Sequence, residues 1–159
     1  MMKGSCLCGG VRFEIEKAVG PFELCHCHRC RKVSGSAFSA GLGVMTKDFR
    51  LIEGGELIST YEAPILREPP PYRNFFCRRC GSPVPNPKPD STWFEVPSGS
   101  LDDDPELKAD KHIFVEFRAP WFEIADNLPQ YDLNALRKLR SAGNDQKAQS
   151  KLRSTRDPD

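Results

Sequence analysis

The chain has 159 residues, with 23 basic and 22 acidic side chains and a net charge of +1. This length suits one domain with a hydrophobic core, and so small a net charge argues against a nucleic-acid-binding surface. The sequence contains neither an apolar run that could span a membrane nor an N-terminal secretory signal, so we expect a cytoplasmic protein with no membrane partner.

The N-terminal part of the chain predicts short strands around one helical turn. Val11 to Glu16 alternates apolar and charged residues, which predicts a strand whose Val11, Phe13 and Ile15 face the core. The next elements are an extended run at 22–27, a helical turn at 28–33 that Ser34-Gly35 ends, and a strand at 37–44 whose Gly41 and Gly43 indicate a bulge or a close backbone approach.

The middle of the chain predicts more strands between irregular segments. Runs at 49–52 and 57–61 flank Gly54-Gly55, which predicts a hairpin. A proline-rich stretch at 64–71 is expected to be a surface loop. The later predicted strands are 73–76, which leads into Cys77, then 93–96 and 113–117.

The C-terminal part differs from the body of the chain. Asp132 is a candidate N-cap for a short helix that would stop at Gly143. The charged residues beyond it have the composition of a disordered segment, unless a partner, such as a second copy of the chain, orders them. We therefore divide the sequence into a main domain at 1–131 and a C-terminal helix and tail at 132–159.

The seven cysteines organise the chain. They form a C-x-C at Cys6 and Cys8, a C-x-C-x-x-C at Cys25, Cys27 and Cys30, and a C-x-x-C at Cys77 and Cys80. An odd number cannot pair completely as disulfides, and clustered thiols in a reducing compartment favour a metal. A thioredoxin-like role for Cys77-x-x-Cys80 would need a βαβ pattern, which is not evident.

Seven thiolates divide naturally into one zinc site with four protein ligands, which is structural, and one with three, which leaves a position for water or substrate. We assign Cys6, Cys8, Cys77 and Cys80 to the first and Cys25, Cys27 and Cys30 to the second. Spacing alone also allows members of the second set to join Cys77 and Cys80. His26 should point away from its two cysteine neighbours in an extended segment, whereas His28 could complete a fourth position.

A family resemblance rests on these motifs together. The segments Gly4-Ser5-Cys6-Leu7-Cys8-Gly9-Gly10, His26-Cys27-His28-Arg29-Cys30-Arg31 and Phe76-Cys77-Arg78-Arg79-Cys80-Gly81 resemble the glutathione-dependent formaldehyde-activating (GFA) family, which shares a domain with centromere protein V. The resemblance continues through Gly99-Ser100-Leu101-Asp102 and Pro120-Trp121 and omits the tail. The proline-rich residues 62–73 have no counterpart in the family pattern, and residues 84–89 are also unusually rich in proline. Substrate choice would differ if either segment lines the site.

The resemblance implies a mainly β fold, a zinc-stapled β-tent of short antiparallel sheets, with the two zinc sites on the cysteines assigned above. It implies a carbon–sulfur lyase that condenses glutathione with formaldehyde to S-hydroxymethylglutathione. Cys25, Cys27 and Cys30 would be catalytic, and substrates would be a small thiol and a small aldehyde.

Two further residues are candidates for substrate binding. Arg31 could pair with a glutathione carboxylate and Phe38 could line the pocket, although a solvated charge and a core aromatic are the competing interpretations. The alternative function is a non-catalytic zinc module that binds a protein partner through its C-terminal helix. Such a module needs the four-cysteine site to fold but has no evident need of three additional clustered thiols.

Overall fold

The computed structural model describes residues 1–65 and 71–142. Ten strands and two α-helices lie in this part of the chain, joined by short 3-10 turns. In chain order they are β1 (Met2–Ser5), β2 (Arg12–Ile15), β3 (Ala18–Cys25), α1 (His28–Ser34), β4 (Ser39–Met45), β5 (Phe49–Glu53), β6 (Ile58–Glu62), β7 (Arg73–Cys77), β8 (Trp93–Pro97), β9 (Lys111–Ile113), β10 (Gln130–Tyr131) and α2 (133–142).

The strands form three small sheets, so the predicted mainly β fold of short sheets is confirmed. One sheet has the order β1-β2-β5, the central one has the order β10-β9-β3-β4-β8, and β6 pairs with β7. Most neighbours are antiparallel, but β9 runs parallel to both β3 and β10. Among the described residues, no helix combines the length and apolar character needed to cross a membrane.

Burial follows the alternation that the sequence predicts for β2. Val11, Phe13 and Ile15 are almost fully buried, while Arg12 pairs with Glu53 on the exposed face. The central sheet contributes Val44 and Val96 to the same core cluster as Phe13 and Ile15. A second cluster surrounds Cys6 and Cys77 and contains Val11, Leu57 and Val84.

The predicted hairpin at Gly54-Gly55 is wrong. The chain does turn there, but β5 pairs with β2 and β6 pairs with β7, so the turn joins two different sheets. Gly54 has φ +82°, and a Cβ on it would lie 1.9 Å from the carbonyl oxygen of Gly10. Glycine is therefore needed here because two backbone segments cross in close contact. The local sequence of such a crossing looks the same as that of a hairpin turn.

Backbone geometry defines the ends of the helix α1 and of the strand β9. The helical turn is confirmed as α1, with Gly35 in the left-handed region at φ +62° as its C-cap. The strand predicted at 113–117 is shorter: β9 ends at Ile113, because Phe114 has φ +57° and a 3-10 turn follows.

The C-terminal helix packs against the body of the protein. Asp132 Oδ1 accepts a hydrogen bond from the backbone N–H of Ala135 at 2.8 Å, which is the predicted N-cap. Leu136 is 2% exposed, and Arg140 reaches Glu23 on β3 at 3.1 Å. The predicted stop at Gly143, the tail through which we expected self-association, and part of the 64–71 loop lie outside the described residues.

Candidate metal and substrate site

The structure brings the seven cysteines together as two separate groups. Within each group the sulfur atoms lie within 4.8 Å of one another, so each group could hold a metal ion. The four-cysteine group consists of Cys6, Cys8, Cys77 and Cys80, and the three-cysteine group of Cys25, Cys27 and Cys30.

The four-cysteine group has the dimensions of a tetrahedral four-sulfur site. Zinc–sulfur bonds of about 2.3 Å place the sulfurs of a tetrahedron about 3.8 Å apart. Cys6 and Cys8 are 3.5 Å apart, and Cys8 and Cys77 are 3.9 Å apart. The donor set therefore fits zinc, and its ligands tie the loop after β1 to the end of β7.

Local hydrogen bonds favour the thiolate at two members of this group, whereas the pKa of Cys8 is raised by the Cys6 thiol against a backbone hydrogen bond at Gly10. The backbone N–H of Val11 donates to Cys6 Sγ at 3.2 Å, which lowers the pKa of Cys6 although burial opposes it. The Ser82 hydroxyl lies 3.4 Å from Cys80 Sγ, and hydrogen bonds from Ser82 lower the pKa of Cys80 to about 5. Deprotonated sulfur is the form that binds a metal.

The three-cysteine group forms where β3 passes into α1. Cys25 is the last residue of β3, Cys27 is the N-cap of α1, and Cys30 lies in its first turn, with its N–H 3.4 Å from Cys27 Sγ. Hydrogen bonds with Cys25 and Cys30 lower the pKa of Cys27 far below its ordinary value. Hydrogen bonds with Cys27 and Cys30, together with burial, raise the pKa of Cys25. Three thiolates so close together need a cation to coexist.

No fourth ligand atom joins the three-cysteine group within residues 1–65 and 71–142. His26 points away from it, as the alternation predicts, and is fully buried. Its Nε2 lies 2.8 Å from His112 Nδ1, and His112 Nε2 lies 3.0 Å from Asp126. Burial, with a smaller effect of His112, lowers the pKa of His26 to about 4, so His26 is a neutral structural residue beneath the cysteine loop.

The three-cysteine group lines a cavity of about 360 Å³, which we call the small cavity. His28 also lines it, with its ring 5.4 Å from that of Phe117, and Arg29 lies over the Tyr72 ring at 5.6 Å. The small cavity is large enough for a small organic ligand, since ligand pockets are about 300–1,000 Å³. Its other charged and polar lining residues are Glu23, Ser39, Glu95 and Arg140.

A second cavity of about 1070 Å³, the large cavity, shares Cys30, Ser39, Gly41, Tyr72 and Glu95 with the small one. The proline-rich residues 83–87 line it, as do Tyr72 and Arg73. Burial, with the charge of the three thiols, raises the pKa of Tyr72. Residues 72, 73 and 84–88, which belong to the two proline-rich segments, therefore line the space beside the cysteines.

Of the two residues predicted to bind substrate, Phe38 lines a cavity and Arg31 does not. Phe38 lines the large cavity and packs on the His26 ring at 5.5 Å. Arg31 lines neither cavity, and Arg29 from the same helix lines the small one instead. Glu23, Tyr72, Glu95 and Arg140 were not selected from the sequence, because their proximity to the cysteines depends on strand register and on the packing of α2.

Metal removal should distinguish the two groups. A three-ligand site binds metal less tightly than a complete four-ligand site. We expect protein loaded with zinc and then treated with a mild chelator to retain about one metal per chain and to stay folded. Metal analysis alongside circular dichroism measures this. Simultaneous loss of both metals with unfolding would show that the groups do not differ in affinity.

Two comparisons with known proteins name the same family. A family model described as glutathione-dependent formaldehyde-activating enzyme matches residues 1–117. A Halomonas elongata protein, provisionally named a glutathione-dependent formaldehyde-activating enzyme, is 32% identical over 131 residues, which span 78% of this chain and 81% of that protein. A crystal structure of a Rhodobacter sphaeroides protein is 24% identical with a TM-score of 0.49, covering 64% of this chain and 88% of that one.

Proposed function

Because the chain belongs to the glutathione-dependent formaldehyde-activating family, we propose that it is a zinc-dependent enzyme of the carbon–sulfur lyase type. It would combine glutathione, or another small thiol, with formaldehyde or a related aldehyde to give an S-hydroxymethyl adduct. The observation that supports this most directly is the three-cysteine group, which lines a cavity of ligand size without a fourth ligand from the described residues.

The two cysteine groups would have different roles. Cys6, Cys8, Cys77 and Cys80 would hold a structural zinc, and Cys25, Cys27 and Cys30 would hold a catalytic one. Zinc at the second position would supply a cation that stabilises the thiolate of the substrate near neutral pH. A reducing compartment such as the cytoplasm would keep all seven cysteines available as ligands.

The chain's own residues would orient the two substrates. Arg29 and Arg140 bring guanidinium groups to the wall of the small cavity. Arg140 pairs with Glu23, so Arg29 is the group that could pair with a carboxylate of glutathione. Phe114 and Phe117 line the same cavity with apolar surface and limit access of water to the reacting sulfur. The reaction itself needs attack of thiolate sulfur on the carbonyl carbon and a proton for the resulting oxygen.

The test must measure acceleration, because thiols and formaldehyde combine without an enzyme. Free glutathione and formaldehyde exchange with their S-hydroxymethyl adduct, and NMR saturation transfer measures the rate of this exchange. We expect the wild-type protein to increase that rate. The gain should be largest below the pKa of the free thiol, about 8.5 for cysteine, since free thiolate is scarce there.

Cys27→Ser is the matched variant for this measurement, because it removes one ligand of the three-cysteine group and leaves the four-cysteine group intact. It should keep its fold and one bound metal while losing the acceleration. Equal exchange rates for the two proteins would refute this reaction and direct the search to other thiols, other aldehydes or a binding role.

A further inference from the structure

Glu95 is a carboxylate that lines the site but has no role in the reaction as proposed above. It lies on β8 and lines both the small and the large cavity, as do Cys30 and Tyr72. Within residues 1–65 and 71–142, the Glu95 side chain makes no hydrogen bond and no salt bridge.

Strand register puts this carboxylate on the same sheet face as Cys25. Cys25 and Glu23 are two residues apart on β3 and so share a face. Glu23 is opposite Gly41 on β4, and Glu95 is opposite Gly43, two residues further along the same strand. The opposite face of the sheet carries the buried Leu42, Val44 and Val96, so the cysteine, both carboxylates and the cavity belong to one side.

Gly41 provides the space that Glu95 occupies. A Cβ on Gly41 would lie 3.1 Å from Glu95 Oε2 and 3.3 Å from its carboxyl carbon. The Glu95 side chain therefore lies across β4 at a position where the strand has no side chain. This directs its carboxylate toward β3, the strand that carries Cys25.

The two carboxylates beside the cysteines are in different electrostatic situations. Glu23 is 5% exposed and is neutralised by Arg140 at 3.1 Å and Lys111 at 3.6 Å. Glu95 is accessible through the cavities, but surrounding protein atoms and then the charge of Glu23 raise its pKa, which the charge of Arg140 only partly offsets. The ionisable groups that line the small cavity with Glu95 are Glu23 on β3, Arg140 on α2, His28 and Arg29 on α1, Tyr72 before β7, and the three cysteines.

We propose that Glu95 is a catalytic residue that carries the proton of the substrate thiol to the oxygen of the aldehyde. This inference rests on the thiol–aldehyde reaction proposed above, and the ligand class is a neutral thiol with a small aldehyde. The reaction releases one proton from sulfur and requires one at oxygen, so a single carboxylate in reach of both can transfer it without net consumption.

The step balances as follows. A Glu95 carboxylate oxygen accepts the proton as the S–H bond breaks, which leaves the electron pair on sulfur. That pair forms the bond to the carbonyl carbon, and the π electrons of the C=O bond move to oxygen. Glu95 then returns its proton to this oxygen, which gives the S–CH₂–OH product and restores the carboxylate. In the reverse direction the same group removes the hydroxyl proton and protonates the departing sulfur.

Glu95→Gln tests the role while keeping the shape of the side chain. The control is Glu56→Gln, an exposed glutamate that lines neither cavity. Zinc-loaded wild-type protein and both variants, matched for metal content and circular dichroism, are compared by NMR exchange of glutathione and formaldehyde from about pH 5.5 to about pH 8. General acid–base groups contribute about 10²-fold or more, so Glu95→Gln should lose at least about 100-fold of the acceleration, and Glu56→Gln should lose none.

The pH profile separates proton transfer from a structural role. The raised pKa means that Glu95 becomes protonated at a higher pH than an ordinary glutamate, and a protonated carboxyl cannot accept the thiol proton. Wild-type acceleration should therefore fall as the pH is lowered through this pKa, and Glu95→Gln should lack this fall. Glu95→Asp keeps a carboxylate, so it should retain the fall with a smaller acceleration, and it provides the test if the glutamine variant does not fold.

The outcomes distinguish this inference from the proposed reaction. If wild-type protein accelerates exchange and Glu95→Gln does so equally, Glu95 is not the proton carrier and the reaction stands. A slower Glu95→Gln with an unchanged pH profile, or a Glu95→Asp without the fall at low pH, also overturns the role. If wild-type protein gives no acceleration, the reaction fails and the role of Glu95 fails with it.

Discussion

Cys77→Ser is expected to abolish the native fold. Cys77 is fully buried among Cys6, Val11, Leu57 and Val84, and its sulfur lies 3.9 Å from that of Cys8, which is 69 positions away in the chain. A structural zinc bound by the four cysteines would contribute about 10–16 kcal/mol of apparent binding free energy, which is comparable with the roughly 5–15 kcal/mol stability of an ordinary domain. Losing one of four ligands removes much of this contribution and leaves a hydroxyl in an apolar cluster.

Thermal unfolding and metal content measure the effect, with Cys30→Ser as the matched control. Cys30 belongs to the three-cysteine group, beside the cavities, so its replacement should leave the fold largely intact and reduce thiol binding and exchange. If Cys30→Ser lowers the melting temperature more than Cys77→Ser, the structural and catalytic roles of the two groups are assigned the wrong way round.

Gly54→Ala is expected to destabilise the protein by about 3–5 kcal/mol, since a non-glycine residue in the left-handed region costs about 1–3 kcal/mol and overpacking costs a similar amount. Gly54 combines φ +82° with a Cβ position 1.9 Å from the Gly10 carbonyl oxygen and 2.9 Å from Val11 Cα. Both neighbours are backbone atoms next to the four-cysteine group, so relief of the clash would disturb the loop that carries Cys6 and Cys8.

Gly55→Ala is the control for this effect, because it adds the same methyl group one residue later. The Cβ there would be 3.2 Å from Leu51 Cδ2, the end of a flexible side chain, and the backbone has no positive φ. We expect a change within about 1 kcal/mol, measured by urea denaturation. Equal effects of the two alanines would show that the contact between Gly54 and Gly10 does not constrain the fold.

The elements that sequence predicted well are those specified by local pattern. Alternation in β2 is read directly from Val11, Phe13 and Ile15, and α1 is bounded by a cysteine N-cap and a glycine that adopts positive φ. The turn at Gly54 was also located correctly. Its topology was not, because a glycine turn indicates where the chain reverses but not which strands pair on either side.

The site was predictable only where chemistry is specific to one residue type. Cysteine spacing identifies candidate metal ligands, but the division into groups depends on contacts over long sequence separation. Glu95 lies in a segment that sequence describes only as a strand, and its relation to Gly41 and Cys25 follows from the register of three strands. Arg140 required the docking of α2, which depends on the burial of Leu136.

The division of the site between two stretches of chain has an evolutionary consequence. All seven cysteines lie within residues 1–117, the part that the family model matches, whereas Arg140 lies beyond it on α2. Because Arg140 pairs with a buried glutamate that lines the small cavity, changes after residue 117 can alter the charge and size of the cavity without altering any of the seven cysteines. Relatives that share these cysteines could thus diverge in the molecules they accept by changing their C-terminal segment alone.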